Sequence, residues 1–302
     1  MDLNRKMFST IMALALTLTL SLGFGISAVG QPAAEDRIDV VVSFAVLYDF
    51  VTFIGGARVE VTTMLEFGGC PCGCDPGPGD IKKLIGADMF IHTSDLVDPW
   101  IDKVVAAAGV PGLVVIESAK GVPTRLIGEM EDLHVWLDPI NAKLMVNTIM
   151  HALIEQDPAG ESLYVANATR LQRQLNELDA AIRTRLADVP LREFIVFHQA
   201  LDYFAARYGL VAHPLVTLWL DEPTPGRMAE LIRLGRELGV SYIFSEEPGE
   251  EPFRVLAAEI GAGVALFTTS PLAPRAEGET LSAYVSMMYD FLDNLVRALG
   301  GE

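Results

Sequence analysis

Residues 38–63 read IDVVVSFAVLYDFVTFIGGARVEVTT, and this stretch decides the fold class. Residues 38–44 form an almost continuous apolar run, which is typical of a strand buried on both faces of a parallel sheet. A helical pattern covers 45–54 and ends at Gly55 and Gly56, and a second strand pattern covers 58–63. A strand, a helix and a second strand in succession predict a βαβ unit.

The same alternation continues through the rest of the chain. In the first half, strand patterns lie at 88–93 and 113–117, and helical patterns lie at 80–86 and 98–108. In the second half, strand patterns lie at 194–198, 210–216, 241–245 and 264–268, and helical patterns lie at 200–208, 225–238, 252–260 and 281–299. We therefore predict an α/β protein with two (β/α) lobes, each built on a parallel sheet and holding its own core.

One long helix separates the two halves. Its apolar stripe consists of Leu171, Leu175, Leu178, Ile182 and Leu186, which follow one another at helical spacing. A helix over 159–187 would run about 40 Å, which is longer than one lobe. A coiled-coil dimer seam is the alternative interpretation, but about two and a half heptads is short for that purpose. We therefore expect a lobe at 31–158, a linking backbone helix at 159–189 and a second lobe at 190–302.

The first 30 residues have the pattern of an export signal. Arg5 and Lys6 precede an apolar run over 7–26, and the small residues Ala28 and Gly30 follow it. This order is typical of a cleaved Sec-type signal peptide over 1–30, with a retained membrane anchor as the alternative. The predicted location is therefore periplasmic or otherwise extracytoplasmic.

Composition excludes two broad classes of protein. The chain has 302 residues, of which 51% are hydrophobic, so an intrinsically disordered protein is excluded. Its formal net charge is −18, and such a surface repels phosphate backbones, so we expect no nucleic-acid partner.

The cysteines form one cluster, Cys70-Pro71-Cys72-Gly73-Cys74. Outside the cytoplasm, thiols usually end in disulfides or on metals. Three cysteines leave one thiol over after a single disulfide, and a Cys-x-Cys disulfide would be strained. The cluster favours metal binding over disulfide or redox chemistry.

Further metal-competent side chains stand at predicted strand ends, where ligands of open parallel sheets bind. His198 ends one strand, Glu246 follows another, and His134 follows the last strand unit of the first half. Imidazole and thiolate are ligands that zinc prefers. We assign structural roles to the remaining histidines, which are His92, His151 and His213. No catalytic motif of the metalloprotease, nucleophile-elbow or phosphate-loop type is present in the sequence, so we do not expect an enzyme.

At these residues the sequence resembles the zinc and manganese solute-binding proteins of ABC transporters, the TroA-like or zinc-uptake A family. The segments LHVWLDPINAKLMVNTI around His134 and REFIVFHQALDYFAARYGL around His198 are similar to that family's two metal-histidine motifs. Residues 40–65 resemble its opening βαβ unit, and the likeness covers nearly the whole chain after residue 30. The resemblance implies two α/β lobes, a rigid long helix between them and one metal ion in the interlobe cleft.

Two positions depart from the family pattern. Cys72 stands where the family has a histidine ligand, and Ser270 stands where it has an acidic one. His134 and His198 match the two remaining ligands. Two thiolates, from Cys72 together with Cys74 or Cys70, would complete a tetrahedral set with the two histidines. The alternative set is Cys72, His134, His198 and Glu246.

The expected metal is Zn²⁺, because thiolate and imidazole ligands favour zinc over manganese, with Cu(I), Cd²⁺ or Mn²⁺ as alternatives. The resemblance implies a monomeric binding component that delivers the ion to the membrane permease of an ABC importer. Two other functions stay open at this point. They are a soft-metal chaperone or sensor and an extracytoplasmic thiol redox protein.

Overall fold

Two four-stranded parallel sheets form the framework of the computed structural model. The model describes residues 37–69, 71, 74, 76–127, 130–217, 221–246 and 251–301. The predicted signal peptide over 1–30 lies outside these residues, as do Cys70 and Cys72. In the described part of the chain, no helix combines the length and the hydropathy that crossing a membrane requires.

The first sheet has the strand order β2-β1-β3-β4. Its strands are β1 (Ile38–Val42), β2 (Val59–Thr63), β3 (Met89–His92) and β4 (Val114–Glu117). The helices of this half are α1 (Ala45–Gly55), α2 (Pro78–Lys83) and α3 (Ile101–Ala108). All strand pairs are parallel, and β1 and β3 are central, which explains their almost wholly apolar sequences.

A short antiparallel hairpin and a helix follow. The hairpin consists of β5 (Leu126–Ile127) and β6 (Met130–Glu131), and α4 covers Pro139–Gln156. Asp138 caps α4, because its carboxylate accepts the backbone N–H of Ile140 at 2.8 Å. Pro139 stands in the first turn of α4. Backbone N–H groups there have no partner within the helix, so the N–H that proline lacks costs no hydrogen bond.

The second sheet has the order β10-β9-β7-β8 and is also parallel. Its strands are β7 (Glu193–His198), β8 (Val211–Val216), β9 (Tyr242–Ser245) and β10 (Gly263–Leu266). Its helices are α6 (Asp202–Tyr208), α7 (Pro225–Leu238), α8 (Glu251–Ile260) and α9 (Ala283–Ala298). The prediction of two parallel sheets covered by helices is therefore confirmed.

The long helix between the halves is α5 (Glu161–Arg185). Its 25 residues span about 37 Å. The side chains of the stripe from Leu171 to Leu186 are at most 1% exposed, and α5 contacts α1, α4 and α9. Because the stripe is buried within this chain, the coiled-coil alternative is wrong.

The main hydrophobic core runs across both halves. It joins side chains of β1 and α1 with those of α5, β7 and α9 in one cluster, while smaller clusters cover the opposite face of each sheet. Asp49 of α1 accepts the backbone N–H groups of Ala283 and Tyr284 at 2.9 and 3.1 Å, so it holds the start of α9. The Tyr284 hydroxyl in turn donates to the carbonyl of Trp136 at 2.6 Å. The expectation that each lobe holds a core of its own is therefore incomplete, because the largest core is shared.

Candidate metal centre

Two histidines from different halves of the chain meet in the interior. His134 directly precedes a 3-10 turn at Val135–Leu137, and His198 is the last residue of β7. Their Nε2 atoms lie 3.3 Å apart, and the residues are 4% and 1% exposed. Two imidazole nitrogens on one tetrahedral zinc ion, each at 2.0–2.1 Å, would be about 3.4 Å apart. The separation therefore suits two rings that bind one ion between them.

A buried carboxylate sets the orientation of His134. Asp132 Oδ1 accepts the backbone N–H of His134 at 2.9 Å and lies 3.1 Å from Nδ1 of its ring. A carboxylate accepts a proton, so this contact assigns the ring hydrogen to Nδ1 and leaves the lone pair of Nε2 directed at His198. The sequence analysis missed Asp132, although a carboxylate two residues before a candidate histidine was the available signal.

His198 lies in a strongly desolvated position. Burial, together with the neighbouring His134, lowers the pKa of His198 well below the ordinary value of 6.5. The ring is therefore neutral at physiological pH, and the neutral ring is the form that binds metal ions.

Glu246 lies directly after β9, on the opposite side of the His198 ring from its contact with His134. Its Oε2 is 3.8 Å from Nδ1 of His198, and its side chain is 12% exposed. This places the carboxylate beside one ring nitrogen while Nε2 meets His134. Its assignment as a ligand remains a prediction.

In the sequence, the cysteine cluster falls between β2 and α2. Cys74 is partly exposed, and its backbone N–H donates to the carbonyl of Pro71 at 3.3 Å. Cys70 and Cys72 lie outside the described residues, so their predicted roles remain predictions. Within the described ranges, the structure contains no group of three or more His, Cys, Asp or Glu side chains arranged to hold a metal ion.

Ser270 follows β10 in a loop that is fixed beside His134. The indole N–H of Trp136, two residues after His134, donates to the carbonyl of Thr269 at 2.7 Å. Ser270 is fully buried, and its hydroxyl oxygen has no hydrogen-bond partner among the described residues. The position at which the family carries an acidic residue is therefore close to the His134 turn and holds only a small hydroxyl group.

The cysteine loop also contacts this second loop. The backbone N–H of Gly68 donates to the carbonyl of Pro271 at 2.9 Å. Gly68 has a φ of +81°, and a methyl group at this position would lie 2.9 Å from Cδ2 of Leu272. The positive φ therefore favours glycine, whereas the exposed Leu272 side chain could move aside. The contact connects the loops that carry two of the candidate positions.

The three other histidines lie in unrelated surroundings. His92 is buried at the end of β3, 4.0 Å from a carboxylate oxygen of Asp98. His213 on β8 contacts Glu193 on the adjacent strand at 2.7 Å, and His151 is exposed on α4. These positions agree with the structural roles predicted for them.

Comparison with known proteins supports one family. Residues 40–298 match the model of the family described as zinc-uptake complex component A, periplasmic. The high-affinity zinc uptake system protein ZnuA of Bacillus subtilis is 28% identical over 281 residues, which cover 87% of this chain and 88% of that protein. The manganese-binding lipoprotein MntA of Halalkalibacterium halodurans is 27% identical over 288 residues, covering 92% and 93% of the two chains.

A solved structure agrees with the sequence relatives. The crystal structure of ZnuA superposes with a TM-score of 0.79 at 28% identity, and the match covers 87% of this chain and all of that one. The fold and the resemblance inferred from the sequence are both confirmed, and so is the expectation of a binding protein rather than an enzyme. The chain belongs to the family of periplasmic zinc-uptake component A proteins.

Proposed function

We propose that this protein is the extracytoplasmic binding component of an ABC importer and that it captures Zn²⁺ between His134 and His198. The observation that carries the proposal is the 3.3 Å separation of the two Nε2 atoms in a buried position. One ring is oriented by Asp132, and the other is held neutral by burial. The neutral ring of His198 does not have to release a proton before it binds an ion.

Thiolates complete the proposed ligand set. Cys72 with Cys74 or Cys70 would join the two histidines in a tetrahedral Cys₂His₂ site, and Glu246 replaces the second thiolate in the alternative set. The buried Ser270 supports the first set, because it supplies no carboxylate at the position where the family has one. Sulfur and nitrogen ligands favour zinc, whereas manganese prefers oxygen. The relatives are named for both metals, so ligand chemistry decides between them.

Capture and delivery are the proposed roles of the whole chain. The predicted signal peptide over 1–30 would export it, and the membrane permease of the importer would be its partner. The shared core supports capture between the two halves, because it includes Val135 and Trp136, which follow His134, and Val196, which lies two residues before His198. We propose that the protein acts as a monomer.

Zinc affinity of histidine variants tests the proposal. His134→Ala and His198→Ala should each weaken zinc binding by at least about 100-fold in a competition titration, because one ligand of a tight zinc site contributes several kcal/mol. His213→Ala is the matched control, since His213 lies on β8 next to β7 and contacts Glu193 rather than the site. Wild-type affinity in both ligand variants would overturn the proposal.

Metal preference is tested on the wild-type protein under reducing conditions. Zinc should displace manganese from the site in direct competition. Cd²⁺ should compete with zinc more effectively than Mn²⁺ does, because cadmium shares the preference for thiolates. A preference for manganese would contradict the thiolate ligands.

A further inference from the structure

The two histidines can satisfy each other without a metal ion. At 3.3 Å, an Nε2–H group on either ring can donate to Nε2 of the other. When His134 is the donor, its Nε2 carries a hydrogen in place of the lone pair that a metal ion needs. The position of the ring hydrogen on His134 therefore decides whether this ring offers a lone pair or a hydrogen.

Asp132 controls that position. We propose that Asp132 is a positioning residue of the metal centre, which holds the ring hydrogen of His134 on Nδ1 and keeps Nε2 available for the ion. This inference rests on the proposed function and concerns how its first ligand is prepared.

A single oxygen atom fixes both the main chain and the ring of His134. Asp132 Oδ1 accepts the backbone N–H at 2.9 Å and lies 3.1 Å from Nδ1. Asp132 is itself anchored, because its own N–H donates to the carbonyl of Arg125 at 2.8 Å. The ring therefore has little freedom to rotate away from His198.

The environment strengthens the electrostatic part of this contact. The Asp132 side chain is 0% exposed and that of His134 is 5% exposed, so water screens the contact weakly. A carboxylate behind a histidine ligand fixes its tautomer and increases electron donation from the other ring nitrogen to the metal. Glu246 stands behind His198 at 3.8 Å, which is longer than a hydrogen bond, so the closer contact belongs to His134.

Two substitutions separate the hydrogen bond from the charge. In Asp132→Asn, the amide oxygen can keep both contacts of Oδ1, and the NH₂ group replaces Oδ2, which has no hydrogen-bond partner among the described residues. In Asp132→Leu, both the acceptor and the charge are lost. Asp98→Asn is the control, because Asp98 is equally buried and contacts Thr93 and Ser43 rather than His134.

Zinc affinity and the tautomer of His134 are the two measurements. Asp132→Leu should weaken zinc binding by about 10–100-fold, which is the usual effect of losing such a partner. Asp132→Asn should weaken it by a smaller factor, and Asp98→Asn should leave it unchanged. In the metal-free protein, ¹⁵N NMR should show His134 protonated on Nδ1 in the wild type and in Asp132→Asn. In Asp132→Leu, the form protonated on Nε2 should become populated.

The outcomes distinguish this inference from the proposed function. Wild-type zinc affinity in both Asp132 variants, together with a large loss in His134→Ala, would overturn the positioning role alone. Wild-type affinity in His134→Ala as well would overturn the proposed function with it. If Asp132→Leu does not fold, Asp132→Ala takes its place, because it also removes the acceptor: a loss of about tenfold or more supports the inference, and an unchanged affinity overturns it.

Discussion

Replacing Asp98 by asparagine should remove the contribution of this carboxyl group to the pH dependence of the protein's stability. Asp98 is fully buried at the carboxyl end of the first sheet. Its Oδ2 accepts the backbone N–H of Thr93 at 2.8 Å and the hydroxyl of Ser43 at 3.4 Å, while Oδ1 has no partner among the described residues. Burial raises the pKa of Asp98 from its ordinary 3.8 to about 7.

The direction in which stability changes with pH follows from the binding of a proton to Asp98. Between pH 4 and pH 7 the folded protein keeps a proton on Asp98 that the unfolded chain has released, so stability decreases as the pH rises through this range. The difference between the two pKa values corresponds to about 4 kcal/mol, which is an upper limit because a charged carboxylate can draw in water. Burial lowers the pKa of the neighbouring His92, which lies 4.0 Å from Asp98. Both proteins should therefore carry His92→Gln, so that the comparison isolates Asp98.

Urea unfolding of the His92→Gln protein with and without Asp98→Asn from pH 4 to pH 8, with metal chelated and thiols reduced, measures the effect. The protein that retains Asp98 should lose up to about 4 kcal/mol of unfolding free energy relative to the variant across this range. The buried amide adds a penalty that does not change with pH, so it shifts the variant's curve without changing its slope. Parallel curves for the two proteins would refute the assignment of a protonated Asp98.

Three further changes test other parts of the structure. Asp49→Ala should lower the free energy of unfolding by about 2–4 kcal/mol, because two buried N–H groups at the start of α9 lose their acceptor, and urea titration measures this. Gly68→Ala should lower the free energy of unfolding by about 1 kcal/mol, because alanine rarely adopts the positive φ of Gly68. A change as small as that caused by Gly→Ala at an exposed position with negative φ would contradict this. Exported protein should begin near Gln31 by mass spectrometry, and an intact membrane-embedded N-terminus would contradict the predicted signal peptide.

The order of strands and helices could be predicted from the sequence, because the local hydrophobic patterns and helix-ending residues agree with the fold. The run at 38–44 corresponds to β1 at Ile38–Val42, and the stripe from Leu171 to Leu186 lies on α5 as expected. Gly209 and Gly239 end α6 and α7 in the left-handed conformation, which is the usual helix stop. Such signals depend on near neighbours in the chain, so they can be read without knowing the tertiary structure.

The centre itself could be predicted only in part. His134 and His198 stand out by motif, but 64 positions separate them, and their meeting depends on how the two halves pack. The placement of Glu246 beside Nδ1 of His198 is likewise a tertiary property. The shared core of α1 and α9 cannot be predicted from local patterns either, because these helices lie near opposite ends of the described chain.

X-ray absorption of the zinc-loaded, reduced protein tests the central claim most directly. We expect a four-coordinate ion with two imidazole nitrogens at about 2.0–2.1 Å and sulfur at about 2.3 Å. His134→Ala and His198→Ala should each remove one imidazole from that shell. A shell without imidazole, or one that neither substitution changes, would contradict the claim that this protein captures zinc between His134 and His198.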